Sequence, residues 1–348
     1  MTSSGVTKQG LEGVRPGREA TTGVNIGPAG GGRASGGRPR RGEQPMVPDA
    51  SFRSYYGMPV INKPVWESRD IAGYWFLGGL AGAGSVIAAG AELAKRRELA
   101  RVMKVGSAAA AGLSVAALIH DLGRPSRFLN MLRTFKPTSP MSVGSWLLAA
   151  FGPASAVAAA SEITGKAPGL GAAATAGAAL GGPGLAAYTA ALTANTAVPA
   201  WHDAHRDLPF VFVASAATSA AGLGLLGAPV AETASVRRLG IIAGTAELAA
   251  NRIMQQRMGL AAEAFEDGRA KRYKRGAQGL VAGGVLTAGL LGRRNRVAAA
   301  LSGAALMAGS ACTRFAIFEA GIASAEDPKY TVVPQRQRLA ERQASDAD

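Results

Sequence analysis

The chain has 348 residues, of which 48% are apolar, 6% aromatic and 18% charged, with a formal net charge of +15. A water-soluble domain carries about 25% charge, so the low value, together with 47 glycines and long Ala/Leu runs, excludes an ordinary soluble globular protein and points to the membrane. The basic balance does not indicate nucleic acid, because the charges flank apolar runs of spanning length, and the single cysteine, Cys312, excludes an internal disulfide and a cysteine-ligated cluster.

Residues 1–50 are rich in Gly, Arg, Pro, Ser and Thr and hold seven basic and four acidic groups. Such a stretch buries too little surface to fold and reads as a disordered tail. Residues 51–70 read as a membrane-surface segment with Tyr55, Tyr56 and Trp66 as interfacial anchors. Eight apolar segments follow, at roughly 71–93, 102–121, 142–163, 169–195, 209–230, 238–257, 277–292 and 296–320. Each approaches the roughly 20 residues that a spanning helix needs. The expected fold is an all-α integral membrane domain over 71–321, with eight transmembrane helices in two four-helix bundles. A polar C-terminal tail covers 322–348. Pro183, beside Gly181, Gly182 and Gly184, predicts a kink in the fourth segment. Gly78-x-x-x-Gly82 and Gly177-x-x-x-Gly181 are small-residue motifs of the kind that let helices approach closely.

An even span count brings both termini and the loops 122–141, 196–208 and 258–276 to one face. Lys and Arg are more numerous near these ends, so the positive-inside rule makes that face cytoplasmic. The 122–141 loop is unusual. His120 and Asp121 close the segment before it. Gly123, Arg124 and Pro125 break the helix, and Arg124, Arg127, Arg133 and Lys136 make it basic. Phe128, Met131, Leu132 and Phe135 recur at i, i+3, i+4 and i+7, which predicts a short amphipathic helix at the surface.

Charges inside apolar segments are expensive and mark function by default. Glu247 is the deepest, at the middle of the sixth segment; it reads either as a proton carrier or as half of a structural pair with an arginine. His120, Asp121, Arg314 and Glu319 approach the loop-bearing face, while Glu92, Glu162 and Arg252 lie near segment ends. In the fourth segment Tyr188 lies near the middle and Asn195 near the loop face. Tyr, His and Asn can donate to a quinone carbonyl in an apolar cleft, and a nearby carboxylate can carry the accompanying protons. The same Tyr188 and Asn195 could instead bridge helices. The three histidines are His120, His202 and His205, and the last two fall in a loop, so a bis-histidine haem inside the bundle is not expected. His202-x-x-His205 with Asp203 and Asp207 reads as a loop-helix cap rather than a metal site.

Five stretches together resemble the NrfD-type membrane anchors of polysulfide reductase and related complexes. They are IAGYWFLGGLAGAGS (71–85), HDLGRPSRFLNMLRTFKPTSPMSVGSW (120–146), YTAALTANTAVPAW (188–201), PFVFVASAATSAAG (209–222) and TRFAIFEAG (313–321). The resemblance covers most of residues 55–335, and the 120–146 block is its most specific part. It implies a haem-free, eight-helix subunit with membrane quinone (menaquinone or ubiquinone) as substrate near one face and no iron–sulfur cluster of its own. The implied partners are a ferredoxin-type iron–sulfur subunit, a molybdopterin catalytic subunit and the lipid membrane, with no nucleic acid.

Carried onto this chain, the resemblance matches the tyrosine of the fourth span to Tyr188 and the acidic residue before Gly-Arg-Pro to Asp121. Beside these two, Asn195, His120, Trp66 and Tyr74 are expected to line or approach the quinone, Asp121, Glu247, Arg314 and Glu319 to transfer protons, and Arg124, Arg127, Arg133, Lys136 and Trp201 to hold the partner, with no metal ligands. A family histidine near the first span has no counterpart here, where Trp66, Glu67 and Tyr74 stand. The contrasting reading is a stand-alone transporter or proton channel built on Glu247, Arg314 and Glu319.

Overall fold

The computed structural model describes residues 5–7, 10–12, 60–124 and 126–345. It divides into two compact units, one of Trp66–Gly321 and one of Met1–Val65 with Ile322–Asp348.

In the larger unit every expected apolar segment falls on a helix of 20 residues or more. These are α1 (Ser68–Leu93), α2 (Arg97–Asp121), α4 (Pro140–Thr164), α5 (Pro168–Ala194), α7 (Leu208–Gly227), α8 (Ala234–Arg257), α9 (Gly268–Leu290) and α10 (Arg296–Glu326), the last running past Gly321 out of the unit. Two five-residue helices, α3 (Arg127–Met131) and α6 (Pro199–Asp203), lie in the loops. Five of the long helices, α1, α2, α4, α7 and α10, are long and apolar enough to cross a membrane by length and composition. The other three fall short for different reasons. α5 is built largely from Ala and Gly, α8 carries Glu247, Asn251 and Arg252 within its run, and α9 opens on strongly basic turns.

Local chemistry sets the helix ends. Ser139 caps α4, its Oγ accepting from the Ser142 amide at 3.4 Å, and Pro140 supplies the pre-set φ of a first helical turn. Gly165 ends the same helix at φ 69°, the left-handed conformation that glycine adopts without a Cβ clash. Asp267 accepts from the Gly268 amide at 2.7 Å to start α9. α4 and α5 both run as α-helix through an internal proline, Pro153 and Pro183 respectively.

α1 is the innermost helix of the α1–α7 half: most of its apolar window is internal, whereas most of α2 and α4 faces outward. It packs on α2, α5 and α7; α4 packs on α5 and α2; α7 packs on α8, and α8 on α9. α10 reaches α9 through Ser302 Oγ, which donates to the Gly284 carbonyl at 2.8 Å. Lipid gives no hydrophobic reason for helices to associate, so close backbone contact must supply the attraction. Two glycine pairs provide it. A Cβ at Gly82 of α1 would lie 2.4 Å from the Gly182 carbonyl oxygen of α5, and one at Gly303 of α10 would lie 2.3 Å from that of Gly222 in α7. The expected motifs are therefore corrected in part. Gly82 is a contact glycine, but its partner is Gly182; Gly177 meets nothing within 4 Å and Gly181 makes only ordinary contact. Large apolar side chains such as Leu93, Leu180, Ile242 and Leu286 point outward, as a lipid-facing surface requires.

The amphipathic helix expected over 128–135 is shorter than its periodicity suggests. α3 stops at Met131 and buries no residue. The chain leaves the helix because its next polar groups bond elsewhere. The Thr134 carbonyl accepts from both Ser142 Oγ (3.1 Å) and Trp146 Nε1 (3.3 Å), and the Lys136 amide donates to Ser142 Oγ at 3.0 Å. Phe135 then packs edge-on against Trp146, with ring centroids 6.3 Å apart.

In the smaller unit β1 (Gly5–Thr7) and β2 (Gly10–Glu12) pair antiparallel, and Lys63 is paired with Glu326. The C-terminal stretch is helical as α11 (Lys329–Ser345). The remainder of the expected 1–50 tail, with Tyr55 and Tyr56, lies outside the described residues.

Candidate functional site

Three separate parts of the chain meet at one end of the larger unit: the start of α1, the end of α2 and the last turns of α10. His120 Nδ1 is 2.7 Å from Asp70 Oδ2, and the Asp121 carboxylate accepts from the Glu67 amide at 3.0 Å. Ser68 Oγ donates to Glu319 Oε1 at 2.7 Å, and Arg269 at the start of α9 lies 3.4 Å from the same oxygen. Arg257 Nη1 at the end of α8 donates to Asp207 before α7 at 2.8 Å. These bonds form a rim, joining the start of α1 to the end of α2, the last turns of α10 and the start of α9, and at the same end joining the close of α8 to the start of α7. His120 remains 75% exposed at its side chain while Asp70 is nearly closed off, so the pair presents an accessible imidazole on a fixed carboxylate.

Beneath the rim lies an aromatic layer. Trp66 stacks on Trp201 at 5.5 Å, Trp75 and Phe318 pack on Trp201 at 5.9 and 5.8 Å, and Trp75 in turn meets Phe212 and Phe318 at 5.7 Å. Trp201 is 1% exposed and its Nε1 donates to the Ile317 carbonyl at 2.8 Å. It was expected at the docking surface; it is instead the internal post on which α6, α1 and α10 close. Beside this layer Tyr74 of α1 and Tyr188 of α5 meet edge-on at 6.5 Å. Tyr188 lies over Gly144 of α4, where a Cβ would fall 2.0 Å from its ring. Tyr74 is buried and Tyr188 half-buried.

The remaining expected residues separate into two groups. Arg124, Arg127, Arg133 and Lys136 are all exposed around α3, as a docking surface needs. Asn195, the residue that ends α5, is exposed too. Glu247 and Arg314 lie deeper and away from the rim. Glu247 is fully buried, its Oε1 accepting from Thr313 Oγ1 at 2.7 Å and its Oε2 from Ser310 Oγ at 3.0 Å. Arg314 is 1% exposed, donates through Nη2 to the Phe212 carbonyl at 2.7 Å and sits 3.8 Å over the Phe212 ring. Its Nε and Nη1 have no hydrogen-bond partner among the described residues. Gly79 of α1 makes room for it, since a Cβ there would lie 3.2 Å from Nη2.

Several participants escaped the sequence reading. Asp70 begins the first apolar segment in plain view, but its link to His120 depends on α1 and α2 running antiparallel. Lys104, inside α2, is held between Glu162 of α4 at 2.9 Å and Glu92 of α1 at 3.1 Å. That gives both glutamates a structural partner, and the signal was a lone lysine within an apolar run.

Residues 59–238, just over half of the chain, match the family described as polysulphide reductase, NrfD. The chain belongs to the NrfD family. The matched stretch runs from the approach to α1 into the first turns of α8, so it includes His120, Asp121, Tyr74, Tyr188 and Trp201. Glu247, Arg314 and Glu319 lie beyond it. No curated protein matches the chain. Membership of the NrfD family and the five apolar helices together make this an integral membrane protein.

Proposed function

We propose that the chain is the haem-free membrane anchor of a quinone-linked oxidoreductase complex. All eight long helices cross the bilayer, α1, α2, α4 and α5 as one four-helix group and α7 to α10 as the other. α5, α8 and α9 do so with Leu180, Ile242 and Leu286 turned outward to lipid. The rim lies on the cytoplasmic side, as the distribution of Lys and Arg suggests.

Membrane quinone binds between the Tyr74–Tyr188 pair and the His120–Asp121 turn. There it exchanges two electrons with a ferredoxin-type iron–sulfur subunit docked on the exposed basic loop around α3. That subunit in turn serves a molybdopterin catalytic subunit. Reduction of the quinone to quinol takes up two protons with the two electrons, and oxidation returns them. Tyr188 and His120 are suited to hydrogen-bond the two oxygens, and Asp121 and Glu319 to move protons at the rim. Trp66 and Trp201 build the apolar wall, and Asn195 stands at its outer edge. The protein's share of the work is to position quinone, keep the site apolar and handle protons.

The observation that carries this reading is the rim itself. An accessible imidazole on a carboxylate, two tyrosines and an aromatic wall meet directly beside an exposed cationic loop. Its test is quinone-dependent turnover of the purified complex. The paired substitution Tyr188→Phe and Asp121→Asn should lower turnover by about 10²-fold, the usual scale of a lost proton-transfer group; unchanged turnover overturns the site. The buried Glu247 and Arg314 favour a second reading, a stand-alone transporter or proton channel. A transporter works when purified alone, whereas an anchor co-purifies with an iron–sulfur protein through the 122–141 loop.

A further inference from the structure

Between α8, α9 and the Gly259–Phe265 turn, a groove of about 580 Å³ opens at the same end as the rim. Its walls carry Arg252, Gln255, Glu266, Lys274 and Gln278. It shares Leu248, Gln255, Lys274 and Gln278 with a smaller inner pocket of about 20 Å³, enough for one ordered water. That pocket is also lined by Asn251 and Thr313, and Thr313 is the residue whose hydroxyl donates to Glu247. An aqueous groove therefore comes within one water and one hydroxyl of a carboxyl group that is itself fully enclosed. Glu247 lies ten residues from the end of α8 at Arg257, about 15 Å along the helix and so near the middle of a bilayer.

The surroundings are not those of a structural ion pair. Among the described residues Glu247 has no cation within salt-bridge distance. The charged group that faces it is Arg314 of α10, while α7 offers only the Thr218 hydroxyl. Arg314 spends its bonds on the Phe212 carbonyl and ring, and two of its buried nitrogens have no partner among the described residues. A sealed, unpaired carboxylate would be expensive. A carboxyl held by hydroxyls, one hydroxyl away from water, can instead be charged in one state and neutral in another.

We infer that Glu247 is a proton-loading group filled from the rim side through the Gln255–Lys274–Gln278 groove. In the loading step a hydronium ion in the groove gives a proton to Thr313 Oγ1 and is left as water, as that hydroxyl gives its own proton to Glu247 Oε1. One proton enters, the carboxylate is neutralised and the threonine is regenerated; the reverse step releases it. This rests on the membrane-spanning reading of α8 to α10, and it adds a route separate from the quinone rim.

The test uses the full-length chain in proteoliposomes, in a Cys312→Ser background. Gln278→Cys and Thr313→Cys are exposed to silver ion from either side. Arg127→Cys marks the rim face and Ala221→Cys, fully buried in α7, serves as the dry control. Reaction of a thiol follows its access to water, so both groove positions should react about tenfold faster from the rim side than from the other side, and than the control. Thr313→Cys no faster than Ala221→Cys overturns the route. In the same vesicles without the cysteine substitutions, dicyclohexylcarbodiimide reaches protonated carboxyls through the apolar phase. Its yield at Glu247 should rise when only the rim-side medium is acidified and should vanish in Glu247→Gln; a yield indifferent to rim-side pH overturns the proposal. Neither measurement involves quinone. Absent quinone turnover would therefore strike the quinone reading alone, and a dry Thr313 would strike this one alone.

Discussion

At the scale of single residues, Gly144 and Trp201 do the most to shape the rim. Gly144 leaves the space that the Tyr188 ring occupies. Gly144→Ala must push the ring away, at a cost of about 1–3 kcal/mol for overpacking. The expected outcome is a lower thermal midpoint and a raised KM for quinone, since the displaced phenol no longer meets its ligand. Trp201→Phe keeps the aromatic packing but removes the indole donor to the Ile317 carbonyl, which costs about 0.5–1.5 kcal/mol, read as the shift in detergent-solubilised unfolding. The two residues also show what a sequence can disclose. Tyr188 stood out because a phenol in an Ala/Gly helix can donate either to a ligand or to a neighbouring helix, and only the resemblance favoured the ligand. Trp201 was expected at the docking face, and its polar neighbours His202, Asp203 and Arg206 give no sign of burial. Its burial depends on α10 arriving more than a hundred residues later.

At the scale of elements, periodicity and apolar length located all eight long helices, because a segment that must be apolar over many turns announces itself. The boundaries moved where polar residues continue a helix, as at the start of α9 and the end of α10. α3 failed to extend because Ser142 and Trp146, outside the window, capture the Thr134 carbonyl. Glycine spacing did not reveal which glycines touch. A direct comparison follows: Gly82→Leu should unfold or disperse the α1–α5 contact, and Gly177→Leu, with open space around it, should leave thermal stability and expression nearly unchanged.

In the turn before α9, the hydrogen bond from Lys274 holds the Glu266 carboxyl below the usual carboxylate range. A depressed folded-state value means that stability is present above the ordinary value and is lost as pH falls through the depressed one. The difference in thermal midpoint between wild type and Glu266→Gln should therefore be constant near neutrality and shrink below about pH 4. It should be small throughout, because Glu266 is largely exposed.

At the scale of the whole molecule, the account depends on an even number of long helices bringing His120, Tyr188, Trp201 and Glu319 to one end. Chain parity suggested that arrangement, and the contacts of Asp70, Ser68 and Trp66 agree with it. Helix partners and the hydroxyl cage of Glu247 were not legible, because serine and threonine in an apolar helix usually bond their own preceding turn. Nothing in one helix tells which of them will turn toward another.

The most direct measurement is photolabelling of the intact complex with an azido-quinone, followed by mass spectrometric mapping. The account predicts adducts on the rim segments, around Tyr74, residues 120–122 and Tyr188, that are lost on competition with native quinone. Competable adducts confined to the opposite end of the helices, near residues 94–97 or 165–168, would contradict it.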